Sequence, residues 1–550
     1  MSTINRRAFV KNAAIGSAAL LAPRALRAAD SRIEILLGEP IAPVSADLFG
    51  HFVEHLGGVV YDGVWVGENS KIPNYDGIRK ELVDALRRLR PGVIRWPGGC
   101  FADSYNWHDG VGPRNQRPRR TNFWIDDPNL PKDISGPQRY DPNGFGTNEF
   151  IRFCRQVGAQ PYLAANVRSL TPRDFYEWVE YCNSPAGSTT LAELRAREGA
   201  PHPLGVHYWG IGNEPWGCGG NFTPEEYATE FRRFTAWIPR YGVDLSIIGA
   251  GPNGGDTEWT RRFFLKLTEK GKDQVNTLYG WALHHYSWNV GKGQNTDWVA
   301  SKGEAIKFSV EDWYELLREA DQMEILIMKH WSVMGEIDHQ HRVKLVVDEW
   351  GAWHKSGSEA DPTHLYGQTS TLRDALLAAL TLDTFIRHAD KVAVANVAQL
   401  INCLHSLFTA HEERFLVTPN YHVFDMYAAH QGNQSVRTLF SVPQVIYTRL
   451  GKPASFWGLA GSASIQQKRL VLTVVNPDTN QEREAEIAVR SASVLSGRAT
   501  TLTSSDIHAY NSFDNLRAVE PKESVIQSTG KTLVYRFPAA SVTRLTLELG

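Results

Sequence analysis

The chain is poor in cysteine, close to electroneutral, and free of repeats, and each shortage excludes something. Its five cysteines, Cys100, Cys154, Cys182, Cys218 and Cys403, are too few and too irregularly spaced for a disulfide framework or a zinc site, and an odd number cannot all pair. Mostly free thiols are expected, with Cys154 and Cys182 on helices in the core. A formal charge of 58 − 60 = −2, without a dominant basic tract, excludes nucleic acid as the main partner. Past the first thirty residues no segment approaches the roughly 18 apolar residues of a membrane span, so the mature protein is expected to be soluble. No internal repeat or low-complexity tract is present. At 550 residues, 42% hydrophobic and 21% charged, the chain exceeds one simple core and predicts two domains.

What is there begins with an N-terminal segment that does not read as fold. Asn5-Arg6-Arg7-Ala8-Phe9-Val10-Lys11 precedes a weakly apolar run, Ala13 to Ala22, and Ala28-Ala29 follows as a cleavage site. This is the pattern of a twin-arginine export signal over residues 1–29, and it predicts a periplasmic or secreted protein that folds before translocation.

The stretch around which the rest is organised runs from Val206 to Gly217. An apolar strand closed by Gly212-Asn213-Glu214-Pro215 cannot carry Glu214 into a helix, because the residue before proline is pushed out of the α region. Glu214 is therefore expected at a strand's carboxyl end, where a parallel α/β barrel builds its active site. A second segment of the same kind, Lys344 to Gly351, delivers Glu349 beside Trp350. The interval, 349 − 214 = 135 residues, is three units at roughly 45 residues per strand and helix, which suits strands four and seven.

Gly212-Asn213-Glu214 and Asp348-Glu349-Trp350 resemble the acid/base and nucleophile strands of the glycoside hydrolase clan that carries those groups on strands four and seven. Within it the sequence resembles glycoside hydrolase family 51, the α-L-arabinofuranosidases. The supporting motifs are Phe52-Val53-Glu54-His55-Leu56-Gly57-Gly58, Ile94-Arg95-Trp96-Pro97-Gly98-Gly99, Tyr105-Asn106-Trp107, Leu283-His284-His285-Tyr286 and Ala398-Gln399-Leu400-Ile401-Asn402, in the family's order and over almost the whole chain. The resemblance implies Glu214 as acid/base and Glu349 as nucleophile of a retaining, exo-acting enzyme with no cofactor and no metal. Arg95 would hold the nucleophile, and Glu54, Asn213, Tyr286 and Gln399 would bond the furanose hydroxyls or the nucleophile. His284 would orient Glu214 or Tyr286, or serve as a core histidine. Trp107 and Trp353 are candidates for a stacking wall or for core. Cys100 departs from the asparagine that many members carry there, and its thiol would be a weak donor to the sugar. The resemblance also implies a homo-oligomer acting on an arabinose-containing oligo- or polysaccharide. An aromatic content of 11%, with 17 tryptophans, is in keeping with a sugar site.

The expected fold is a (β/α)8 barrel over residues 47–432. A C-terminal β-sandwich of the jelly-roll kind spans residues 433–550 and takes an N-terminal strand from residues 30–46. Barrel strands are expected at Asp47 to Phe52, Val93 to Trp96, Pro161 to Asn166, the apolar run from Val206 at the end of which Glu214 stands, Leu245 to Ala250, Trp281 to Tyr286, Lys344 to Asp348 and Val392 to Ile401, with a first helix from Asp76 to Leu89. Residues 102–146, rich in Gly, Pro, Asn and Asp, read as an active-site loop. Within that loop Arg117-Pro118-Arg119-Arg120 is a solvated face or a contact for acidic polysaccharide substituents. Short β-runs are expected at Val442 to Tyr447, Leu470 to Val475, Ala485 to Val489 and Thr532 to Phe537. A β-xylosidase or endo-β-glycanase is the alternative on the same scaffold, and a non-catalytic carbohydrate-binding protein would be expected to lack one of the two glutamates.

Overall fold

The computed structural model describes residues 31–291, 297–358, 364–527 and 529–550. Eight parallel strands close a barrel, each beside its neighbours in sequence and the last beside the first: β1 (Gly50–Phe52), β2 (Val93–Trp96), β3 (Gln160–Ala165), β4 (Tyr208–Ile211), β5 (Ser246–Gly249), β6 (Gly280–Ser287), β7 (Lys344–Ala352) and β8 (Val392–Val397). Val93, Tyr162, Ile248, Ala282, Val346 and Val394 fill its interior. The main helices between strands are α1 (Lys80–Leu89), α2 (Thr147–Val157), α3 (Pro172–Asn183), α4 (Pro224–Thr235), α5 (Thr257–Leu267), α6 (Val310–Gly335) and α7 (Leu372–Arg387), with a short additional helix, Thr190–Arg197, between α3 and β4, and α8 (Pro419–Tyr427) follows β8. Proline in the first turn and a reciprocal cap open α3 at Thr171 and Asp174, and α4 at Thr223 and Glu226.

β7 runs on to Ala352, past the expected end at Asp348, and β8 stops at Val397, short of Ile401; two further edges differ from expectation for local reasons. The first helix starts at Lys80 rather than Asp76, because Asn74 Oδ1 accepts the N–H of Gly77 at 2.9 Å and closes a small hairpin before the helix can begin. The first strand is shortened by a 3-10 turn over Ala46–Phe49, where the Ser45 side chain accepts the N–H of Asp47 at 3.1 Å. Cys154 on α2 and Cys182 on α3 are buried.

Most of the remaining chain forms a nine-stranded sheet in the order 522–525, 494–503, 541–549, 469–476, 460–466, 434–441, 31–43, 483–490, 532–537, while the strand expected at Val442 to Tyr447 lies outside it, as Val445–Arg449 paired with Lys452–Phe456 in a separate hairpin. Ser31–Pro43 pairs parallel with Arg483–Arg490 and antiparallel with Gln434–Ser441, so the N-terminal strand is built into the C-terminal sheet. The sheet curls on itself: Thr501 and Tyr535, from near its two ends, bring their hydroxyls to 3.5 Å. Buried Asp383 on α7 fastens it to the barrel, accepting from Ser462 and Thr473 of the sheet at 2.6 Å each and from Tyr427 of α8 at 2.8 Å. Among the described residues, no helix is long and apolar enough to cross a membrane.

Candidate active site

A pocket of about 630 Å³ opens at the carboxyl ends of the barrel strands, lined by Glu54, Cys100, Asn213, Glu214, His284, Tyr286, Glu349, Trp353 and Gln399. Arg95 lies directly behind it. Every residue that the resemblance pointed to for the sugar site, except Trp107, is thus brought to one place. Trp107 is core: its ring stacks on Trp178 and its Nε1 donates to the Asp174 carbonyl at 2.9 Å.

Glu349 is held in β7 by an irregularity in pairing. Leu283 of β6 faces Val347 and His284 faces Glu349, so Asp348 is an extra residue, a bulge that breaks the usual alternation of side chains between faces. Both consecutive carboxylates can therefore reach Arg95, which donates Nη1 to Glu349 Oε1 at 2.9 Å and places Nε 3.8 Å from Asp348. Arg95 Nη2 donates to Asn213 Oδ1 at 2.7 Å, and Tyr286 OH donates to Glu349 Oε2 at 2.8 Å. Burial works to raise the Glu349 pKa, but His284, Arg95 and the Tyr286 hydroxyl outweigh it and hold the carboxyl below its ordinary value. The result is an ionised, desolvated carboxylate with each oxygen tied down.

Glu214 is not within a strand. β4 ends at Ile211, and Glu214 sits beyond Gly212 at φ 39°, a left-handed conformation that a side chain resists. Buried Asp103 secures this turn: its Oδ2 accepts the N–H of Asn213 at 2.8 Å, while Oδ1 accepts those of Val167 and Arg168 at 2.7 and 3.2 Å. Burial pushes the Asp103 carboxyl up to about 7 against the pull of those amides. Gly219 completes the wrap, since a Cβ there would come within 1.7 Å of the Asn213 carbonyl. Glu214 Oε1 meets His284 Nδ1 at 2.9 Å, and that same nitrogen is 3.6 Å from Glu349 Oε2. Burial depresses His284, yet the charge of Glu349 and the bond to Glu214 prevail and raise its pKa. One oxygen or nitrogen from each of Glu214, His284 and Glu349 lies within 4.8 Å of the other two.

Glu54 stands behind Gly98-Gly99. A Cβ on Gly98 would meet Glu54 Cγ at 2.6 Å and one on Gly99 would meet Glu349 Oε1 at 2.6 Å, so these glycines make room for the two carboxyls. Glu54 Oε1 accepts the N–H groups of Gly99 and Phe101 at 3.1 and 3.0 Å. Gln399 uses both ends of its amide on Glu54, donating to Oε2 at 3.0 Å and accepting the backbone N–H at 3.1 Å. Burial, with the charge of Glu349, pushes Glu54 up to about 8. Glu54 is therefore protonated at neutral pH and loses its proton as the pH passes about 8, adding negative charge beside Glu349. With an activated aryl glycoside, whose departure needs no acid, kcat/KM of the wild type is expected to fall through that range. Glu54→Gln should flatten this limb, and an unchanged limb in the variant would show that Glu54 does not titrate there.

Two expectations about cysteine are corrected. Cys100 and Cys218 form a disulfide across 118 residues, between the loops that follow β2 and β4, while Cys154, Cys182 and Cys403 stay free and buried. Cys100 therefore has no S–H to offer a sugar. The basic run is also largely committed: Arg117 is buried against Glu149 at 3.1 Å and Arg120 pairs with Asp109 at 2.8 Å. Sequence reasoning missed Asp103, Cys218 and most of the pocket's aromatic rim. Trp124, Trp216, Trp288, Trp298 and Tyr366 join Trp353 there from four different loops, and none of those loops carries a periodic signal. Trp353 meets Tyr286, Trp298 and Tyr366 edge to face at about 5 Å.

Models of the α-L-arabinofuranosidase 1 domain and of the α-L-arabinofuranosidase C-terminal domain match residues 85–304 and 348–541. The chain is 33% identical over 525 residues to an intracellular exo-α-L-arabinofuranosidase of Bacteroides ovatus, covering 93% of this chain and 94% of that one. It is 30% identical to an intracellular exo-α-(1→5)-L-arabinofuranosidase of Acetivibrio thermocellus, covering 67% and 69%. The crystal structure of the GH51 arabinofuranosidase from Xanthomonas axonopodis pv. citri superposes with a TM-score of 0.85 at 32% identity, over 94% of this chain and all of that one. The two sequence relatives are described as intracellular, which overturns the expectation of twin-arginine export and a periplasmic or secreted destination. Residues 1–29, on which that expectation rested, lie outside the described residues.

Proposed function

The chain belongs to the α-L-arabinofuranosidases of glycoside hydrolase family 51, and from that premise we propose that it removes terminal non-reducing α-L-arabinofuranosyl residues from arabinan, arabinoxylan or arabino-oligosaccharides by a retaining double displacement. The observation that carries the mechanism is the proximity of the Glu214 and Glu349 carboxyls, whose facing oxygens lie within 4.8 Å. Retaining glycosidases hold their two carboxyls about 5–5.5 Å apart, and inverting ones leave roughly 6.5–9.5 Å for a water.

Glu349, ionised and held by Arg95 and Tyr286, attacks the anomeric carbon while Glu214 protonates the departing oxygen. Glu214, held through His284, then takes a proton from the water that releases the sugar. Asn213 has its carbonyl oxygen engaged by Arg95 and its amide nitrogen 3.9 Å from Cys218 Sγ, which leaves one amide N–H for a ring hydroxyl. Glu54 and Gln399 act as a unit, with Gln399 fixing the carboxyl that meets the sugar. The indole of Trp353 supplies one wall. A compact pocket with an aromatic rim supports an exo-acting enzyme over an endo-β-glycanase. A homo-oligomer rests on the family resemblance alone, and sedimentation equilibrium tests it.

The purified protein, assayed on nitrophenyl glycosides of α-L-arabinofuranose, β-D-xylopyranose, β-D-glucopyranose and β-D-galactofuranose, is expected to favour the first by at least about a hundredfold in kcat/KM, a difference of roughly 2.7 kcal/mol in transition-state binding. A preference for the xyloside would assign it to the alternative.

A further inference from the structure

The disulfide lies against the proposed acid/base. Glu214 Oε2 is 3.9 Å from Cys100 Sγ and 3.6 Å from Cys218 Sγ. The other oxygen, Oε1, is engaged by His284. Sulfurs joined to each other carry no hydrogen, so Oε2 accepts no N–H, O–H or S–H bond among the described residues. Cys100 lines the substrate pocket, and Glu214 is only half buried, so the carboxylate and sulfurs are within reach of solutes.

We propose that, once the disulfide is reduced, Cys100, Cys218 and Glu214 form a binding site for one thiophilic divalent cation, zinc or cadmium, which withdraws Glu214 from proton transfer. The activity arm of this inference rests on the role given to Glu214 above, and the binding arm does not. Tetrahedral zinc at roughly 2.3 Å from sulfur and 2.0–2.2 Å from carboxylate oxygen sets its ligand atoms about 3.5–3.8 Å apart. Of the two sulfur-to-oxygen distances, 3.6 Å from Cys218 already has that length and 3.9 Å from Cys100 exceeds it only slightly, so the main movement required is that the sulfurs part. All three ligand atoms lie within 4.8 Å of one another, and among the described residues no other cysteine joins such a group. Cys154, Cys182 and Cys403 sit singly in the core, where burial raises their thiols and keeps them protonated.

The chemistry balances without a further partner. A phosphine attacks one sulfur and breaks the S–S bond. Its phosphorus supplies the two electrons, and water gives the oxygen of the phosphine oxide and the two protons of the thiols. The cation then displaces one proton from each thiol, giving two metal thiolates and two protons in solution, with the Glu214 carboxylate as third ligand and the fourth position left to solvent. The oxidised form offers only the carboxylate.

The test uses the whole protein in two states, reduced with a water-soluble phosphine and desalted without oxygen, or oxidised with diamide. Thiol titration in denaturant verifies each state, five thiols against three. Cadmium is added to both. The reduced protein is expected to bind one equivalent with a thiolate-to-cadmium charge-transfer absorption, and to lose arabinofuranosidase activity by at least about tenfold, restored by chelator. The oxidised protein should show neither. Cys218→Ser and Cys100→Ala, each verified as folded by circular dichroism, should lose the absorption and the difference in activity with and without cadmium. Equal cadmium binding by the two states, or undiminished binding in both variants, would overturn the site. Binding as expected without loss of activity would keep the site and overturn its hold on Glu214.

Discussion

Glu349→Ala is expected to lose at least about four powers of ten in kcat/KM on every arabinofuranoside, whatever its leaving group. In the proposed double displacement this carboxylate forms the covalent bond, and neither neighbouring carboxyl is placed to replace it. Asp348 points to Arg95 and accepts the hydroxyl of Tyr162 at 2.9 Å, while Glu54 is held protonated on the far side of Gly98-Gly99. Steady-state kinetics on an aryl and an alkyl arabinofuranoside decide it. A loss confined to poor leaving groups would mean that Glu349 is not the nucleophile. Because the change leaves the Arg95 guanidinium short of one partner, folding is verified first by thermal unfolding.

Glu214→Ala is expected to fail differently, in a way that depends on the leaving group. A nitrophenolate scarcely needs a proton, so formation of the glycosyl-enzyme survives, whereas an alkyl or sugar alcohol leaves slowly, by at least about two powers of ten. Release of the intermediate becomes slow for want of a base. Azide, which needs none, should then speed turnover of the activated substrate and give an azide adduct with the substrate's own anomeric configuration. Equal loss on activated and unactivated substrates, with no effect of azide, would remove Glu214 from proton transfer.

The parts of this site that were legible in the sequence share one property: the residue and the feature that places it are adjacent in the chain. The apolar run before Gly212-Asn213-Glu214-Pro215 and the one before Asp348-Glu349 mark strands whose carboxyl ends meet at the pocket. Gly98-Gly99 signals close approach, although what approaches is the side chains of Glu54 and Glu349. Residues placed by distant partners were not legible. Asp103 matters because it joins the loops after β3 and β4, and nothing in its neighbours announces three amide partners more than sixty residues away. Cys100 and Cys218 are 118 residues apart, so their pairing follows from barrel closure and from no local spacing. The bulge at Asp348 is a mismatch between two strands and is invisible in either alone. The C-terminal sheet was caught in part, at Thr532–Phe537 among others. Strands such as Val494–Thr503 and Ser541–Leu549, rich in Ser, Thr and Gly or alternating with charge, owe their pairing to each other.

The most direct test of the account is the configuration of the first-formed product. With the wild-type enzyme in aqueous methanol, proton NMR of the initial transfer product should show methyl α-L-arabinofuranoside, because two inversions at the anomeric carbon, the first by Glu349 and the second by methanol with Glu214 as base, restore the substrate's configuration. A β-configured product would mean a single displacement, and Glu214 and Glu349 could not then be the retaining pair that their spacing supports.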